Sequence, residues 1–363
     1  MSIPVMVALR GEASGLMGAL GQAGSGMAAL GSSTEDLAKK LGGIGGAMTI
    51  AMAGVGVSTV NMAMEFERSM ATVFTATTMT KQEFAGLSDA VLNMSSEVGY
   101  GANELADAML KVASSGFKGQ DALNVLRVAA QGAQVGVGDL TATSKALATM
   151  MFSLDIPASQ ATATMDKLLT AVRLGNVELG ELSTAMSNVI PAARVTGISL
   201  DEVAAAMAVM TAAGMPAANA GTNLRMTLLQ LARITPKAAK EMENFGLSAT
   251  DISTRLGERG LSGTLDVLAT AIDTKLGSNL RGLDGQLQSL AGGSLEEFEN
   301  GIAALPESAR NATGVLANML GGVKSLQGAL LLMGPGADEF KNAISEVGKA
   351  GAAAGTDVSK FGA

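Results

Sequence analysis

The chain has 363 residues, of which 48% are hydrophobic and only 3% aromatic, and its formal net charge is −8. It contains no His and no Cys, which excludes zinc sites built from these ligands, thiolate nucleophiles, Ser-His-Asp triads and disulfides. The acidic balance argues against a dedicated nucleic-acid binder, because phosphate contacts require a clustered basic face.

The composition favours an all-α fold. With 23 Met, one Tyr and no Trp, the core must consist of Ala, Leu, Val and Met, which suit close helix packing better than a sheet core. The 46 Gly residues are too many for a compact bundle alone, since a Gly inside a helix costs about 1 kcal/mol relative to Ala. Part of the chain is therefore expected to be loose or to need close backbone approach.

The first predicted region, 1–64, is an amphipathic and Gly-rich apolar segment. Residues Pro4 to Leu9 predict a short strand, and Ser32 with Glu35 predicts a capping box. The opening residues lack a basic stretch before an apolar core, so they predict no secretory signal and a start in a cytoplasm. Leu41 to Met64 carries no charge over 24 residues, which allows a membrane span or a buried, self-packing helix.

The second predicted region, 65–273, is a helical core domain. Apolar residues recur at i, i+3, i+4 and i+7 and predict many short antiparallel helices. The expected helix ends are glycines at positions 116, 175, 197 and 214. Capping-box spacings occur at Thr80/Glu83 and Ser199/Glu202, and further along at Ser294/Glu297.

Four helix starts in this region have similar sequences: GYGANELADAM, GVGDLTATSKAL, GNVELGELSTAM and GISLDEVAAAM. Each places Gly and a polar residue ahead of the start of a helix. Their uneven spacing favours shared helix-start chemistry over a solenoid repeat.

The third predicted region, 274–363, is Gly- and Ser-rich and is expected to be weakly helical or flexible. It includes a second and weaker candidate for a membrane segment, Val315 to Gly336. Lys324 interrupts that segment, and Gly334-Pro335 ends it.

The stretch TAAGMPAANAGTNLRMTLLQLA, Thr211 to Ala232, allows two interpretations. A phosphate cradle would need a preceding strand and a following Gly-Lys-Ser/Thr, and neither is present. A helix joint is the favoured interpretation, with Gly214 in a left-handed turn, Pro216 setting the exit, and Ala220-Gly221 allowing close approach to a neighbouring helix. Asn219 or Thr222 is expected to cap the helix that carries Leu224, Leu228 and Leu231.

No catalytic, cofactor-binding or metal-binding residue is assigned. Ser115 and Lys118 match an S-x-x-K motif, but Gly116 indicates a turn where the motif needs a helix, which favours a chance match. Carboxylate pairs that could suggest a glycosidase occur at Glu178/Glu181 and Asp201/Glu202. At helix starts such residues normally complement the helix dipole.

Several segments together, and in order, resemble the core of phage tail tape measure proteins. They are MEFERSMATVFTAT (64–77), ELADAMLKVASSGF (104–117), GISLDEVAAAMAVMTAAGM (197–215), AGTNLRMTLLQLA (220–232) and ENFGLSATD (243–251). The resemblance covers roughly residues 65–273. The opening VMVALRGEASGLMGALGQAG is also similar to the usual beginning of that family, so residue 1 is expected to be the native start.

The resemblance implies a structural virion protein inside the tail tube, assembled in the host cytoplasm. It implies that the protein sets tail length, nucleates tail assembly and leaves ahead of the DNA. The implied partners are the tail tube protein, tail tip proteins, tail assembly chaperones, further copies in a trimer, and a host membrane, without sequence-specific nucleic-acid binding. No cofactor is implied.

One departure from the family is length. A fully helical chain of this size reaches only about 550 Å, which leaves a short ruler, a truncated product or a fragment as alternatives. The alternative function is a membrane-active, pore-forming helical protein that uses Leu41–Met64. An enzyme is disfavoured.

Overall fold

The structure is a computed structural model that describes residues 57–77, 79–136, 138–276, 284–334 and 336–352. The predicted strand at Pro4–Leu9, the Ser32/Glu35 capping box and residues 41–56 of the charge-free segment lie outside these residues. The described residues contain 17 α-helices and one 3-10 turn and no strand, which confirms the all-α prediction.

In chain order the helices are α1 (Val57–Ala76), α2 (Lys81–Val98), α3 (Ala102–Ser114), α4 (Gly119–Val135), α5 (Leu140–Ser153), α6 (Ala161–Gly175), α7 (Leu179–Thr196), α8 (Leu200–Ala212), α9 (Ala217–Ala232), α10 (Pro236–Asn244), α11 (Ala249–Thr254), α12 (Leu256–Leu276), α13 (Asp284–Ala291), α14 (Leu295–Ala303), α15 (Glu307–Leu320), α16 (Val323–Leu332) and α17 (Gly336–Ala352). The 3-10 turn, Ala158–Gln160, precedes α6.

The chain divides into two compact units, 1–90 and 91–363, with the boundary inside α2. In the described part of the first unit, the rings of Phe74 on α1 and Phe84 on α2 lie 5.0 Å apart between centroids. The predicted Thr80/Glu83 capping box is confirmed at the start of α2. The Glu83 carboxylate accepts from the Thr80 backbone N–H at 2.8 Å, and the Thr80 hydroxyl accepts from the Glu83 N–H at 3.3 Å.

In the second unit, α3 to α9 are arranged in two layers. Helices α3, α5, α7 and α9 pack side by side in the first layer, and α4, α6 and α8 do so in the second. Each helix therefore packs against the second helix along the chain, as in stacked helix-pair repeats. The chain here is a short solenoid of helix pairs, a pattern that the uneven starts in the sequence did not predict.

The spacing of the first-layer helices is regular. They begin at Ala102, Leu140, Leu179 and Ala217, so successive starts are separated by nearly the same length of chain. Counted from each start, the fourth, eighth and eleventh residues are buried in all four helices: Leu105, Met109 and Val112; Thr143, Leu147 and Met150; Leu182, Met186 and Val189; Ala220, Leu224 and Thr227. A common buried face thus runs through the whole layer.

Helix α8 lies at the centre of this unit. Its residues from Val203 to Met210 are all buried, as expected for a helix that is apolar all round. It packs on α6, α7 and α9, and α17 lies against both α6 and α8. A Cβ at Gly175 on α6 would lie 3.0 Å from the Ala208 Cα on α8, so a side chain there would force these helices apart.

The third predicted region contains five helices in its described part, α13 to α17. Helix α16 packs against α9, and their interface holds a buried polar network. The Asn223 amide donates to the Gln327 side-chain oxygen at 3.1 Å, and the Gln327 amide donates to the Gly293 carbonyl at 3.0 Å. The predicted boundaries at 64/65 and 273/274 remain predictions.

None of the helices in the described part of the chain combines the length and the apolar composition of a membrane span. One pair, Ala309–Leu320 and Val323–Leu332, meets the length and composition test together, but it is bent by 100° at a short break. This pair overlaps the weaker candidate segment, Val315–Gly336. Most of α16 is buried against the rest of the unit.

Candidate functional site

The carboxylates singled out in the sequence serve helix ends and helix contacts. Asp201 pairs with Lys167 of α6 at 2.6 Å, which joins the two second-layer helices α6 and α8. Glu202 accepts from the Ser262 backbone N–H at 3.2 Å, where α12 breaks at Gly260. The predicted Ser199/Glu202 capping box is therefore only half formed: Ser199 accepts from the Glu202 N–H, while the Glu202 carboxylate caps another helix.

The other carboxylate pair lies at the start of α7. Glu178 is the N-cap residue in extended conformation, and Glu181 lies in the first turn. Negative charge at this end complements the helix dipole, as expected from the sequence.

The S-x-x-K residues lie in a turn, as Gly116 indicated. Ser115 caps the C-terminal end of α3, and its hydroxyl donates to the Lys111 carbonyl at 2.9 Å. Gly116 has a φ of +113°, and Lys118 is the N-cap residue of α4. A side chain at position 116 would collide with the Phe152 ring of α5, so this glycine is needed both for the turn and for the packing of that ring.

The stretch from Thr211 to Ala232 is a helix joint. Gly214 has a φ of +97°, and a Cβ at Gly221 would lie 2.9 Å from the Ala185 carbonyl oxygen, so α9 and α7 approach closely there. The predicted cap is wrong, because α9 begins at Ala217 with Pro216 as N-cap. Asn219 and Thr222 thus lie inside the helix, and the Thr222 hydroxyl donates back to the Ala218 carbonyl at 2.9 Å.

The shifted pKa values in the described residues have structural causes. Hydrogen bonds from the Ser294 backbone and side chain lower the pKa of the Glu297 carboxyl in the capping box of α14. Arg259 lowers the pKa of Asp251 mainly by hydrogen bonding. Burial is the main cause that raises the pKa of Tyr100, with the Glu104 and Asp139 charges adding to it. These groups are scattered along the chain and do not form a catalytic cluster.

The described residues contain no group of three or more Asp or Glu residues that could hold a metal ion.

The surface of the first layer carries exposed apolar side chains. Three large apolar side chains on the first layer are exposed: Phe152 on α5 (54%), Val195 on α7 (75%) and Leu229 on α9 (42%). Phe152 and Leu229 are each the thirteenth residue of their helix, whereas the same position holds Ser114 in α3 and Pro191 in α7, so the exposed apolar groups do not recur in every repeat.

Two grooves accompany this surface. The first, which we name the α3–α5 groove, has a volume of about 280 Å³. Its lining residues are Lys111, Ser114, Ser115, Lys145, Thr149, Phe152 and Ser153. The second, of about 530 Å³, lies at the ends of α5 to α8 and contains two ion pairs, Lys167–Asp201 and Arg194–Asp155. Its charges are balanced, whereas no acidic residue lines the α3–α5 groove.

The model of a family described as phage-related minor tail protein matches residues 88–321, which is more than half of the chain. The chain belongs to this family. It is a structural component of a phage tail, which places it in the virion among other tail components. The resemblance found in the sequence is thereby confirmed.

A similar protein is the tape measure protein of Pneumococcus phage Dp-1, which is 26% identical over 222 residues. The match covers 61% of this chain and 19% of the relative, so it involves about a fifth of the length of that protein. No solved structure matches the chain. The matched family segment contains the whole helix-pair stack, from α3 to α9.

Proposed function

We propose that the chain acts as a tape measure protein that occupies the lumen of the tail tube, sets tail length and nucleates tail assembly. The observation that carries this proposal is the match of residues 88–321 to a minor tail protein family, together with the name of the Dp-1 relative. Its contacts would be with the tail tube protein, tail tip proteins and assembly chaperones.

The structure and composition are compatible with this role. The described residues hold helices and a surface of polar and apolar side chains, without a metal cluster. A net charge of −8 opposes tight binding of a passing DNA backbone. Such a chain could leave the tube ahead of the DNA, in the order that ejection requires.

An in-frame deletion of residues 140–178 tests the ruler role, because it removes one complete helix pair and keeps the stacking register. If the chain is one extended helix in the virion, loss of this segment should shorten the tail by about 58 Å, at about 1.5 Å per residue. A stack that stays folded would shorten by only one helix spacing of about 10 Å. Electron microscopy of purified particles distinguishes these lengths, and an unchanged tail contradicts the ruler role.

A substitution that keeps the chain length is the control for this deletion. Ser159→Ala lies within the deleted segment, is exposed and lines neither groove, so it should leave tail length unchanged. A tail that shortens in this variant would show that length responds to disturbed assembly instead of to chain length.

A second candidate function is membrane activity, favoured by the 24 charge-free residues from Leu41 to Met64. The full chain should then release dye from liposomes, and Gly54→Lys should abolish the release, because a charge at the centre of a span costs about 3 kcal/mol. Intact liposomes after addition of the native chain contradict this function.

A further inference from the structure

The helices of the first layer lie nearly in register, so residues at the same position in their helices lie side by side. Asp155, the sixteenth residue counted from the start of α5, pairs with Arg194, the sixteenth residue of α7, at 3.3 Å. Gly221, the fifth residue of α9, lies against Ala185, the seventh residue of α7. Residues at one position therefore form a line across the layer.

At the thirteenth position this line is apolar over three neighbouring helices. Phe152 on α5, Pro191 on α7 and Leu229 on α9 are all exposed, and we name these three residues the apolar line. The Phe152 ring packs edge-on against Phe117, with 6.4 Å between ring centroids, so it is held in a fixed position. Val195 lies one turn further along α7 and is outside the apolar line.

Basic side chains lie beside the apolar line. On α9, Arg225 lies four residues before Leu229 and Arg233 lies four residues after it, and both are exposed. Lys145 lies two turns before Phe152 on α5 and is exposed. None of these three basic residues forms an ion pair with a described residue. Helices α5 and α9 contain no Asp or Glu, so the surface beside the line is positive on an acidic protein.

The helix dipole does not account for this arrangement. It favours basic residues in the last turn of a helix, where Lys111 of α3 and Arg194 of α7 lie. Lys145 and Arg225 lie in the middle of their helices, beyond the reach of that effect. The dipole also gives no reason for exposing large apolar side chains beside them.

The spacing of the apolar line fits a helix that lies across the layer. The axes of packed neighbouring helices are about 8–10 Å apart. A helix advances about 10.5 Å in seven residues, and side chains seven residues apart point to nearly the same side. One apolar side chain on each of three successive heptads can thus contact each of the three helices. An extended strand covers this distance in three residues, whose side chains alternate between opposite faces.

The described part of this chain does not expose such a helix itself. Its exposed large apolar side chains are Met64, Phe152, Val195 and Leu229, and no two of them are seven residues apart in the sequence. The helix that fits the apolar line is therefore expected from a different protein.

We propose that the apolar line binds an acidic amphipathic helix of another tail protein, which lies across α5, α7 and α9. Apolar side chains seven residues apart on that helix contact Phe152, Pro191 and Leu229. Its Asp and Glu side chains face the basic residues of α5 and α9. The choice of a tail protein as the source rests on the proposed function, whereas the surface and the chemistry that it recognises do not.

A synthetic peptide tests this surface on the purified full chain. The probe is a fluorescent helical peptide of about 22 residues, with Leu at every seventh position, Glu on both sides of the leucine face and Ala elsewhere. We expect saturable binding with a Kd below about 100 µM at about 50 mM salt, measured by fluorescence anisotropy, and at least about tenfold weaker binding at about 500 mM salt. A peptide of the same composition with Leu at every fifth position spreads its leucines around the helix and should bind at least about tenfold more weakly.

Variants of the chain test the charged and the apolar part of the contact separately. R225E/R233E should weaken binding of the acidic peptide at least about tenfold. The same variant should bind a peptide with Lys in place of Glu more tightly than the native chain does, because the charges are exchanged. Leu229→Ser should weaken binding of the acidic peptide about tenfold, because it removes an apolar anchor.

Two matched controls lie outside the first layer. K240E/K349E reverses two exposed lysines on α10 and α17, and Met64→Ser removes an exposed apolar side chain on α1. Both should bind the acidic peptide as the native chain does. Circular dichroism checks that each variant stays folded.

Four results would overturn the proposal. The first is a native chain without saturable binding of the acidic peptide. The second is a folded R225E/R233E variant that binds this peptide at native strength. The third is a DNA duplex or a phosphatidylglycerol vesicle that displaces the peptide as effectively as unlabelled peptide does. The fourth is self-association of the native chain that R225E/R233E abolishes, which would place a second copy on the apolar line.

The outcome of this experiment is independent of the ruler test. No tail tube is present in the peptide assay, so a deletion that leaves tail length unchanged would contradict the ruler role without affecting peptide binding. A chain that sets tail length and does not bind the peptide would contradict only the present inference.

Discussion

The helices from α3 to α9 and those from α10 to α17 achieve their packing in different ways. In the first set, first-layer helices begin at nearly equal intervals along the chain, and equivalent positions are buried in every repeat. In the second set, helix lengths vary widely, from 6 residues in α11 to 21 residues in the kinked α12. Polar contacts occur at single joints, such as the hydrogen bond from the Ser262 backbone N–H to Glu202 beside the kink of α12. Both sets bury apolar side chains, such as Met186 in the first set and Phe298 and Phe340 in the second, but only the first set buries them at a regular spacing.

The largest effect is expected from truncating the common buried face. Met186 on α7 is fully buried, and Met186→Ala should lower the free energy of unfolding by about 2–5 kcal/mol through lost burial and a cavity. Val195→Ala on the same helix is the control, because that side chain is 75% exposed and should change stability by less than about 0.5 kcal/mol. Urea unfolding measures both. Equal effects would contradict the layered core.

The next effect tests the close approach of neighbouring first-layer helices. Gly221→Ala places a Cβ 2.9 Å from the Ala185 carbonyl oxygen and should destabilise the fold by about 1–3 kcal/mol. Gly180→Ala, where no atom lies within 4 Å of the new Cβ, should be neutral or stabilising by up to about 1 kcal/mol. Thermal unfolding of the two variants should give shifts of opposite sign or clearly different size.

The joint between the two parts can be tested at its buried polar network, because Asn223 lies on α9 and Gln327 on α16. Asn223→Leu leaves the Gln327 oxygen without its donor and should cost about 2 kcal/mol, within the usual range for an unsatisfied buried group. The double variant N223L/Q327L removes both partners and should be less destabilised than the two single effects added together. Strict additivity in this double-mutant cycle would mean that the two side chains do not interact.

The smallest effect concerns the cap of α14. Ser294→Ala should cost about 1 kcal/mol at neutral pH, because its hydroxyl accepts from the Glu297 N–H at 3.2 Å. The pKa of Glu297 is lowered from 4.5 in the folded protein, so its contribution to stability is present above pH 4.5 and is lost as the pH falls through the folded value. Unfolding measured from about pH 6 to about pH 3 should show a smaller pH dependence in a Glu297→Gln variant than in the native chain.

The class of fold was predictable from the sequence, because composition and apolar spacing act locally. The capping boxes at Thr80/Glu83 and Ser294/Glu297 are confirmed for the same reason. The repeat was missed because one of the four similar starts belongs to the second-layer helix α8, while the fourth first-layer helix begins after Pro216 without an acidic start. The regular spacing of the first-layer helices is set by packing between helices. The sequences at the helix starts act locally, so they do not indicate this spacing.

The α3–α5 groove was not predictable for a related reason. Lys111 and Lys145 lie far apart in the chain, with the whole of α4 between them, and share a groove only because α3 packs on α5. Each lysine alone looks like an ordinary solvated side chain in the sequence. Gly116 in the S-x-x-K stretch gave a partial indication of the groove. It predicted a turn, and this turn also makes room for the Phe152 ring, which lines the groove.

Labelling of a single introduced cysteine tests the central claim, placement inside the tail tube, most directly. The native chain has no Cys, and Val195 is 75% exposed, so Val195→Cys gives one accessible thiol. With a maleimide reagent too large to enter the tube, we predict no labelling in intact virions and full labelling after the tails are opened. Equal labelling of the thiol in intact and opened particles would contradict placement in the lumen.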